Sequence, residues 1–207
     1  MTDHRNALLN LIAQHSFRLG DFVLSSGARS DYYIDCRTTT LHAEGGRLAG
    51  LVFYDLIREH NLRPAAVGGL TMGADPLVSN IASASAWDHV KHPDAPYVHG
   101  FLVRKAEKAH GTGRRVEGFC QPGARVVIVD DVCTTGGSTI NAIQAAREAG
   151  MEVVGVLCLV DRQEMNGRAA VEAAAAGAPF FALFTVAEVC AAHIALKAGN
   201  IQTGSAS

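Results

Sequence analysis

Apolar residues fall in three successive rhythms along this chain. Leu8, Leu9 and Ile12 recur at helical spacing, which predicts a short amphipathic N-terminal helix. From Phe22 to Asp35 the pattern alternates and breaks at Ser26-Gly27, the mark of two short strands around a turn. Helical spacing returns over His42–His60, with Leu48, Leu51, Val52 and Leu56 on one side. After that, short apolar runs alternate with helical stretches. The runs are Pro64–Gly69, Pro96–Val103, Val126–Val129, Val153–Val160 and Phe180–Phe184, each read as a strand, with Val126–Val129 of the buried kind found in parallel sheets. Asp75-Pro76 reads as an N-cap followed by Pro at the first helical position, opening a helix to about Ala86. Ile140, Ile143 and Ala146 mark a helix that stops at Gly150. Arg168–Ala178 is Ala-rich and of high helix propensity. Thr185-x-x-Glu188 is a capping box for a final helix. Arg104–Gly118 has neither rhythm; it is polar and highly charged, and reads as a long loop of the kind that carries function.

Strands alternating with helices predict an α/β fold with a mostly parallel central sheet flanked by helices. The chain before Asp35 stands outside that alternation and is expected to form a small hood over the sheet's active edge. The expected division is residues 1–40 for the N-terminal helix and hood, and 41–207 for the α/β core.

Composition narrows the classes of function. At 207 residues, 48% hydrophobic, the chain suits one substantial core. A net charge of −2 gives no electrostatic case for nucleic acid or a membrane surface. No apolar run approaches the ~18 residues of a membrane span, and no apolar signal region is visible. Five cysteines, an odd number without a C-x-x-C spacing, argue against zinc and against a disulfide framework, and fit a reducing compartment. Cytoplasm is the expected location.

The chemistry concentrates in Val126–Thr139, V-V-I-V-D-D-V-C-T-T-G-G-S-T. A buried strand is followed by two carboxylates, Asp130 and Asp131, expected where that strand ends. Small polar residues and glycines then lead into a helix. A Gly-rich turn at a helix N-terminus offers backbone N–H groups and the positive end of a dipole to an anion, most simply a phosphate. The acid pair suits hydroxyls or a metal ion. A ribose 5-phosphate satisfies both demands. The stretch lacks Gly-x-x-x-x-Gly-Lys-Ser/Thr and Gly-x-Gly-x-x-Gly, which excludes the two commonest nucleotide loops.

This segment resembles, at every position from Val126 to Thr139, the phosphoribosyl pyrophosphate (PRPP) motif of the type I phosphoribosyltransferases. Further stretches narrow the resemblance. Arg104-Lys105-x-x-Lys108-x-His110-Gly111 is similar to the catalytic loop of the orotate phosphoribosyltransferase family. Phe22-x-Leu24-x-Ser26-Gly27-x-x-Ser30-x-Tyr32-Tyr33-x-Asp35 resembles its hood motif. Gly68–Pro76 resembles its pyrophosphate loop, and Asp161-Arg162-Gln163-Glu164 its orotate-recognition segment.

The resemblance implies transfer of a phosphoribosyl group from PRPP to orotate, with Mg2+, in a homodimer whose basic loop reaches the partner's site. It implies that Asp130 and Asp131 hold the ribose hydroxyls and stabilise developing positive charge. Thr134, Thr135, Gly136, Gly137, Ser138 and Thr139 would cradle the 5-phosphate, with Val132 and Cys133 in the same motif; the Cys133 side chain is expected to face the core. Arg104, Lys105, Lys108 and His110 would bind or cover pyrophosphate, with Lys105, Lys108 and His110 catalytic. Thr71, Met72 and Gly73 would line the pyrophosphate loop. Ser26, Gly27 and Tyr32 would grip the base, and Arg162 would pair with the orotate carboxylate. The resemblance implies that magnesium is held mainly by PRPP, with Asp130 and Asp131 nearby and no direct protein ligand assigned. Some family members carry Lys at the positions of Ser25 and Met72, so both cations are missing here. A purine-base phosphoribosyltransferase and a PRPP-sensing regulator are the competing readings; the first leaves Asp161–Glu164 unexplained, the second lacks a basic nucleic-acid-binding element. His89 and His92 are expected in a polar loop, and Cys36, Cys120, Cys158 and Cys190 as packing residues.

Overall fold

The computed structural model describes residues 2–23, 29–105 and 115–204. Ser26, Gly27, Lys108 and His110 lie outside them. Helix α1 (Thr2–His15) leads into an antiparallel pair, β1 (Phe17–Val23) and β2 (Arg29–Ile34). A short helix α2 (Arg37–Thr40) and a long one α3 (Ala43–Glu59) follow. The remainder alternates: β3 (Ala66–Leu70), α4 (Asp75–Lys91), β4 (His99–Val103), β5 (Val116–Gly118), β6 (Arg125–Cys133), α5 (Gly137–Glu148), β7 (Glu152–Asp161), α6 (Gly167–Ala175), β8 (Phe180–Thr185) and α7 (Val186–Gly204).

The central sheet has the order β5-β4-β3-β6-β7-β8, parallel throughout except for β5. Its middle strands are buried on both faces, so their side chains divide by alternation. Val127, Val129, Leu157 and Leu159 join Leu48, Val52, Leu77 and Ile81 from α3 and α4 on one side. Val126, Ile128, Val156 and Cys158 join Ala142, Ile143, Ala146 and Val171 from α5 and α6 on the other. Leu8, Ile12 and Phe17 belong to the first of these clusters, so α1 and the root of the hood are packed into the main core. The hood is anchored by Phe17, fully buried, which stacks on Tyr32 and meets His193 edge-on.

The mostly parallel α/β sheet is the one expected, and so are the helix stop at Gly150, with φ +79°, and the capping box. In the box, Thr185 N–H donates to Glu188 Oε2 at 2.8 Å and Glu188 N–H to Thr185 Oγ1 at 3.2 Å. Several boundaries differ. The first hood strand begins at Phe17, not Phe22. Asp75 is the first residue of α4, and Ala74 occupies the cap. That helix runs to Lys91, so His89 lies in its last turn and not in a loop, while His92 follows the helix as its C-cap, where its ring pairs with Asp88. The segment expected as one long loop includes β5, held antiparallel against β4. Cys120 is exposed, unlike the buried Cys36, Cys133 and Cys158. The short helix α2 has no periodic pattern of its own to announce it.

Candidate functional site

Strand order reverses where β3 and β6 lie side by side. The chain leaves β3 toward β4 on one side and continues from β6 toward β7 on the other. The loops beyond such a pair diverge and leave a crevice at the carboxyl edge of the sheet. A cleft of about 350 Å³ lies here, lined by Leu70–Gly73, Asp130–Val132, Thr134, Ser138, Lys105, Arg162 and the hood's Tyr33–Arg37.

Asp130 and Asp131 belong to β6, which continues to Cys133. The expectation that the strand ends before them is therefore corrected: ladder pairing with β7, Asp130 beside Cys158 and Cys133 beside Asp161, carries the acids on a strand. This placement gives them rigid backbones. It also desolvates them. Burial, then the neighbouring Asp131 charge, pushes the Asp130 carboxyl up to about 7. Burial likewise raises Asp131. Thr139 Oγ1 donates to Asp130 Oδ2 at 2.5 Å, and the Asp131 and Val132 N–H groups donate to the Asp130 and Asp131 carboxylates at 3.1 and 2.9 Å. Thr139 is fully buried and thus supports the acid pair from below.

The turn after β6 needs two close approaches. Gly136 has φ +76°, and a Cβ there would lie 2.6 Å from Val171 and 2.9 Å from the Gly167 carbonyl. A Cβ on Gly167 would lie 2.1 Å from the Thr134 carbonyl. Two glycines therefore let this turn pack directly on the start of α6. Gly136 caps α5 without a side-chain hydrogen bond, so the Ser138 and Thr139 N–H groups in the first turn of α5 remain available to an anion. Thr134 and Ser138 line the cleft; the Thr135 hydroxyl accepts from Gly137 N–H at 3.4 Å. The Cys133 side chain is buried in the core, where burial raises its thiol to about 11; such a thiol is no nucleophile at neutral pH.

On the β3 side, Gly73 comes so close to Asp131 that a Cβ would meet its Oδ1 at 2.5 Å. The Thr71–Met72 peptide bond in this loop is cis. Met72 is 68% exposed. Lys105 reaches the cleft, whereas Arg104 pairs with Glu117 Oε1 at 3.0 Å and does not line it.

Arg162 is buried, and its partners come from two parts of the chain. Its Nε donates to the Tyr32 hydroxyl at 2.8 Å, and its guanidinium stacks 4.8 Å from the Tyr32 ring. It also pairs with Glu164 at 3.0 Å. The Tyr32 hydroxyl in turn donates to Glu164. Burial and this donation push the Tyr32 phenol to about 12. The hood is thus fastened to the segment after β7 through Tyr32, which meets both Arg162 and Glu164 beside the cleft.

Two residues in the cleft carry no signal in the hydropathy pattern: Asp35 and Arg37, at the junction of β2 and α2. Arg37 Nε and Nη2 each donate to Asp35 at 2.8 Å, and this pairing holds the Asp35 carboxyl below the usual range. The signal that could have found them is the D-x-R spacing directly after the alternating hood strand.

Among the described residues, no group of three or more His, Cys, Asp or Glu is placed to hold a metal, and no helix is long and apolar enough to cross a membrane.

Comparison with known proteins identifies relatives of this chain. Residues 52–169 match the family model described as the phosphoribosyl transferase domain. The chain is 43% identical to the orotate phosphoribosyltransferase of Aquifex aeolicus (strain VF5) over 188 residues, 89% of this chain and 97% of that one. Crystal structures of the orotate phosphoribosyltransferase of Mycobacterium tuberculosis H37Rv are similar. The complex with Fe(III) dicitrate superposes with TM-score 0.75 at 37% identity, covering 90% of this chain and 98% of the other. The complex with PRPP gives TM-score 0.71 at 33% identity over the same shares.

Proposed function

We propose the following reaction for this chain, which belongs to the phosphoribosyl transferase domain family and, within it, to the orotate phosphoribosyltransferases. It is an enzyme, a pentosyltransferase. It joins the 5-phosphoribosyl group of PRPP to orotate, giving orotidine 5-monophosphate and pyrophosphate, a step in pyrimidine (UMP) biosynthesis. The observation that carries this reading is one crevice holding an acid pair with Asp130 buried, the N-terminus of α5 without a side-chain cap and Arg162 tied to the hood.

Each element has a task in glycosyl transfer. The bond from ribose C1 to pyrophosphate breaks while the bond from C1 to a ring nitrogen of orotate forms, the proton of that ring N–H passes to the departing pyrophosphate or to solvent, and positive charge develops on the ribosyl centre in the transition state. The first-turn N–H groups of α5 hold the 5-phosphate. Asp130 and Asp131 accept from the ribose hydroxyls and, when ionised, stabilise that positive charge. Arg162 presents a planar fork to the carboxylate of orotate, and orotate would replace Glu164 at the outer edge of that fork. Tyr32 holds Arg162 in place. The basic loop, carrying Lys105, Lys108 and His110, closes on the leaving pyrophosphate and shields the reaction from water.

Two carboxylates without a third ligand suit a magnesium ion that keeps phosphate oxygens and waters among its ligands. Asp130 and Asp131 are the residues that would face it. When bound with PRPP, Mg2+ supplies neutralisation of the pyrophosphate charge.

The working form is a homodimer in which the basic loop serves the partner's site, and its compartment is the cytoplasm. Mixing Lys108→Ala with Asp131→Asn subunits is expected to restore activity in hybrid dimers. No restoration with demonstrated subunit exchange would place the loop in its own subunit's site. The reaction itself is tested by the loss of orotate absorbance with PRPP and Mg2+, with xanthine and hypoxanthine as rival acceptors. Turnover with orotate alone is expected; turnover with a purine instead would overturn the acceptor.

A further inference from the structure

Pyrophosphate leaves this site with several negative charges, and a rigid site should meet them with cations already in position. Among the described residues, three cationic side chains line the cleft: Lys105, Arg162 and Arg37. Arg162 is committed to Tyr32 and Glu164 on the hood side. Lys105 is exposed and borders the basic loop. Arg37 differs from both. It sits on α2, whose Thr39 and Thr40 are fully buried, and a hydroxyl pair between Ser16 and Thr39 at 2.6 Å ties that helix to the root of the hood.

The guanidinium has two usable edges. Nε and Nη2 bind Asp35, both at 2.8 Å. The opposite edge, formed by Nη1 and the second Nη2 hydrogen, makes no hydrogen bond to any described residue. That edge has the paired-donor geometry that fits two oxygens of a phosphate. Arg37 lines not only the cleft but also the adjoining groove of about 810 Å³, and Met72 borders both with it. The side chain is 43% exposed despite its ion pair. Arg37 and the acid pair Asp130 and Asp131 line the same cleft.

We infer that Arg37 is a pyrophosphate-binding residue, held by Asp35 so that its free edge faces the diphosphate arm of PRPP beside the Thr71–Gly73 loop. It supplies a cation at a wall of the site where Met72 carries none. This inference rests on PRPP being the donor, as proposed above. Asp35 is its positioning residue.

The test compares two ligands that share the ribose and the 5-phosphate and differ in the diphosphate. Calorimetric affinities for PRPP, with Mg2+, and for ribose 5-phosphate are measured on the wild-type protein, Arg37→Gln and Arg37→Lys. Loss of a charge-assisted phosphate contact should weaken PRPP binding about tenfold to a hundredfold in Arg37→Gln. Ribose 5-phosphate binding should stay unchanged. Arg37→Lys, which keeps the charge and loses the fork, should fall between. Equal weakening of both ligands would mark a structural role and overturn the assignment, as would unaltered PRPP affinity. Because these affinities are read without orotate, failure of the acceptor assignment and failure of the Arg37 assignment are separate results. A wild-type protein that binds ribose 5-phosphate but not PRPP would overturn the donor and this inference together.

Discussion

Asn in place of Asp130 should make the ligand-free protein more stable, and more so as the pH rises. The Asp130 carboxyl sits near 7 instead of its ordinary 3.8, because burial opposes its ionisation and Asp131 adds like charge. The sign follows from linkage. Between pH 4 and 7 the folded state keeps a proton that the unfolded chain has lost, so stability falls across that window as the pH rises. The deficit is about 2 kcal/mol at pH 5 and about 4 kcal/mol at pH 8. Asn mimics the protonated acid and does not ionise. Its advantage over the wild type should therefore grow by about 2 to 3 kcal/mol from pH 5 to pH 8. The two carboxylates share their protons, so part of that gain is relief of Asp131. The assay is urea unfolding of ligand-free wild type and Asp130→Asn at both pH values. Turnover of the variant should collapse. A stability difference that stays constant between pH 5 and pH 8 would refute the reasoning, since it would mean that Asp130 ionises in the folded protein as it does in water.

Three further outcomes are expected. Gly73→Ala places a methyl group 2.5 Å from Asp131 Oδ1, so the carboxylate must swing away; turnover should drop at least tenfold, on the order of 1.4 kcal/mol, while the melting temperature moves little. Normal turnover would show that Asp131 need not hold this position. Tyr32→Phe removes the hydroxyl that joins Arg162 to Glu164; the Michaelis constant for orotate should rise about five- to thirtyfold, equivalent to about 1–2 kcal/mol, with that for PRPP unchanged, and steady-state kinetics against each substrate separates the two. Glu188→Ala breaks both the capping box of α7 and the 2.8 Å pair with Arg5; it should cost about 1–2 kcal/mol of stability without changing turnover, and a loss of activity at 25 °C would point to a role for α7 at the site.

Much of the site was readable from local pattern. Asp130 and Asp131, the glycine turn and the helix after it are contiguous, so one stretch of sequence carries most of the phosphate and ribose site. Tyr32 and Arg162 were each identifiable, but their contact across 130 positions was not. The paired glycines Gly136 and Gly167 act through one another's backbones, which spacing along the chain cannot express. Arg37 escaped notice because an arginine beside an aspartate reads as an ordinary surface pair until the fold turns one edge of it toward the cleft. The end of β6 was misplaced for a related reason. Two adjacent carboxylates argue against a strand locally, yet the ladder to β7 continues past them.

What the sequence by itself determined was the class of fold and the chemistry on offer. Hydrophobic period depends on near neighbours, so strands, helices, the α7 capping box and a phosphate turn could be read in one dimension. What only the tertiary structure decided was convergence. The reversal of strand order between β3 and β6 opens the crevice. The desolvation that raises Asp130 comes from packing on both faces of the sheet. The orientation of Arg162 and Arg37 is set by partners from the hood. Long-range contacts place charges in a medium where they are not free to ionise, and that medium exists only once the chain has folded.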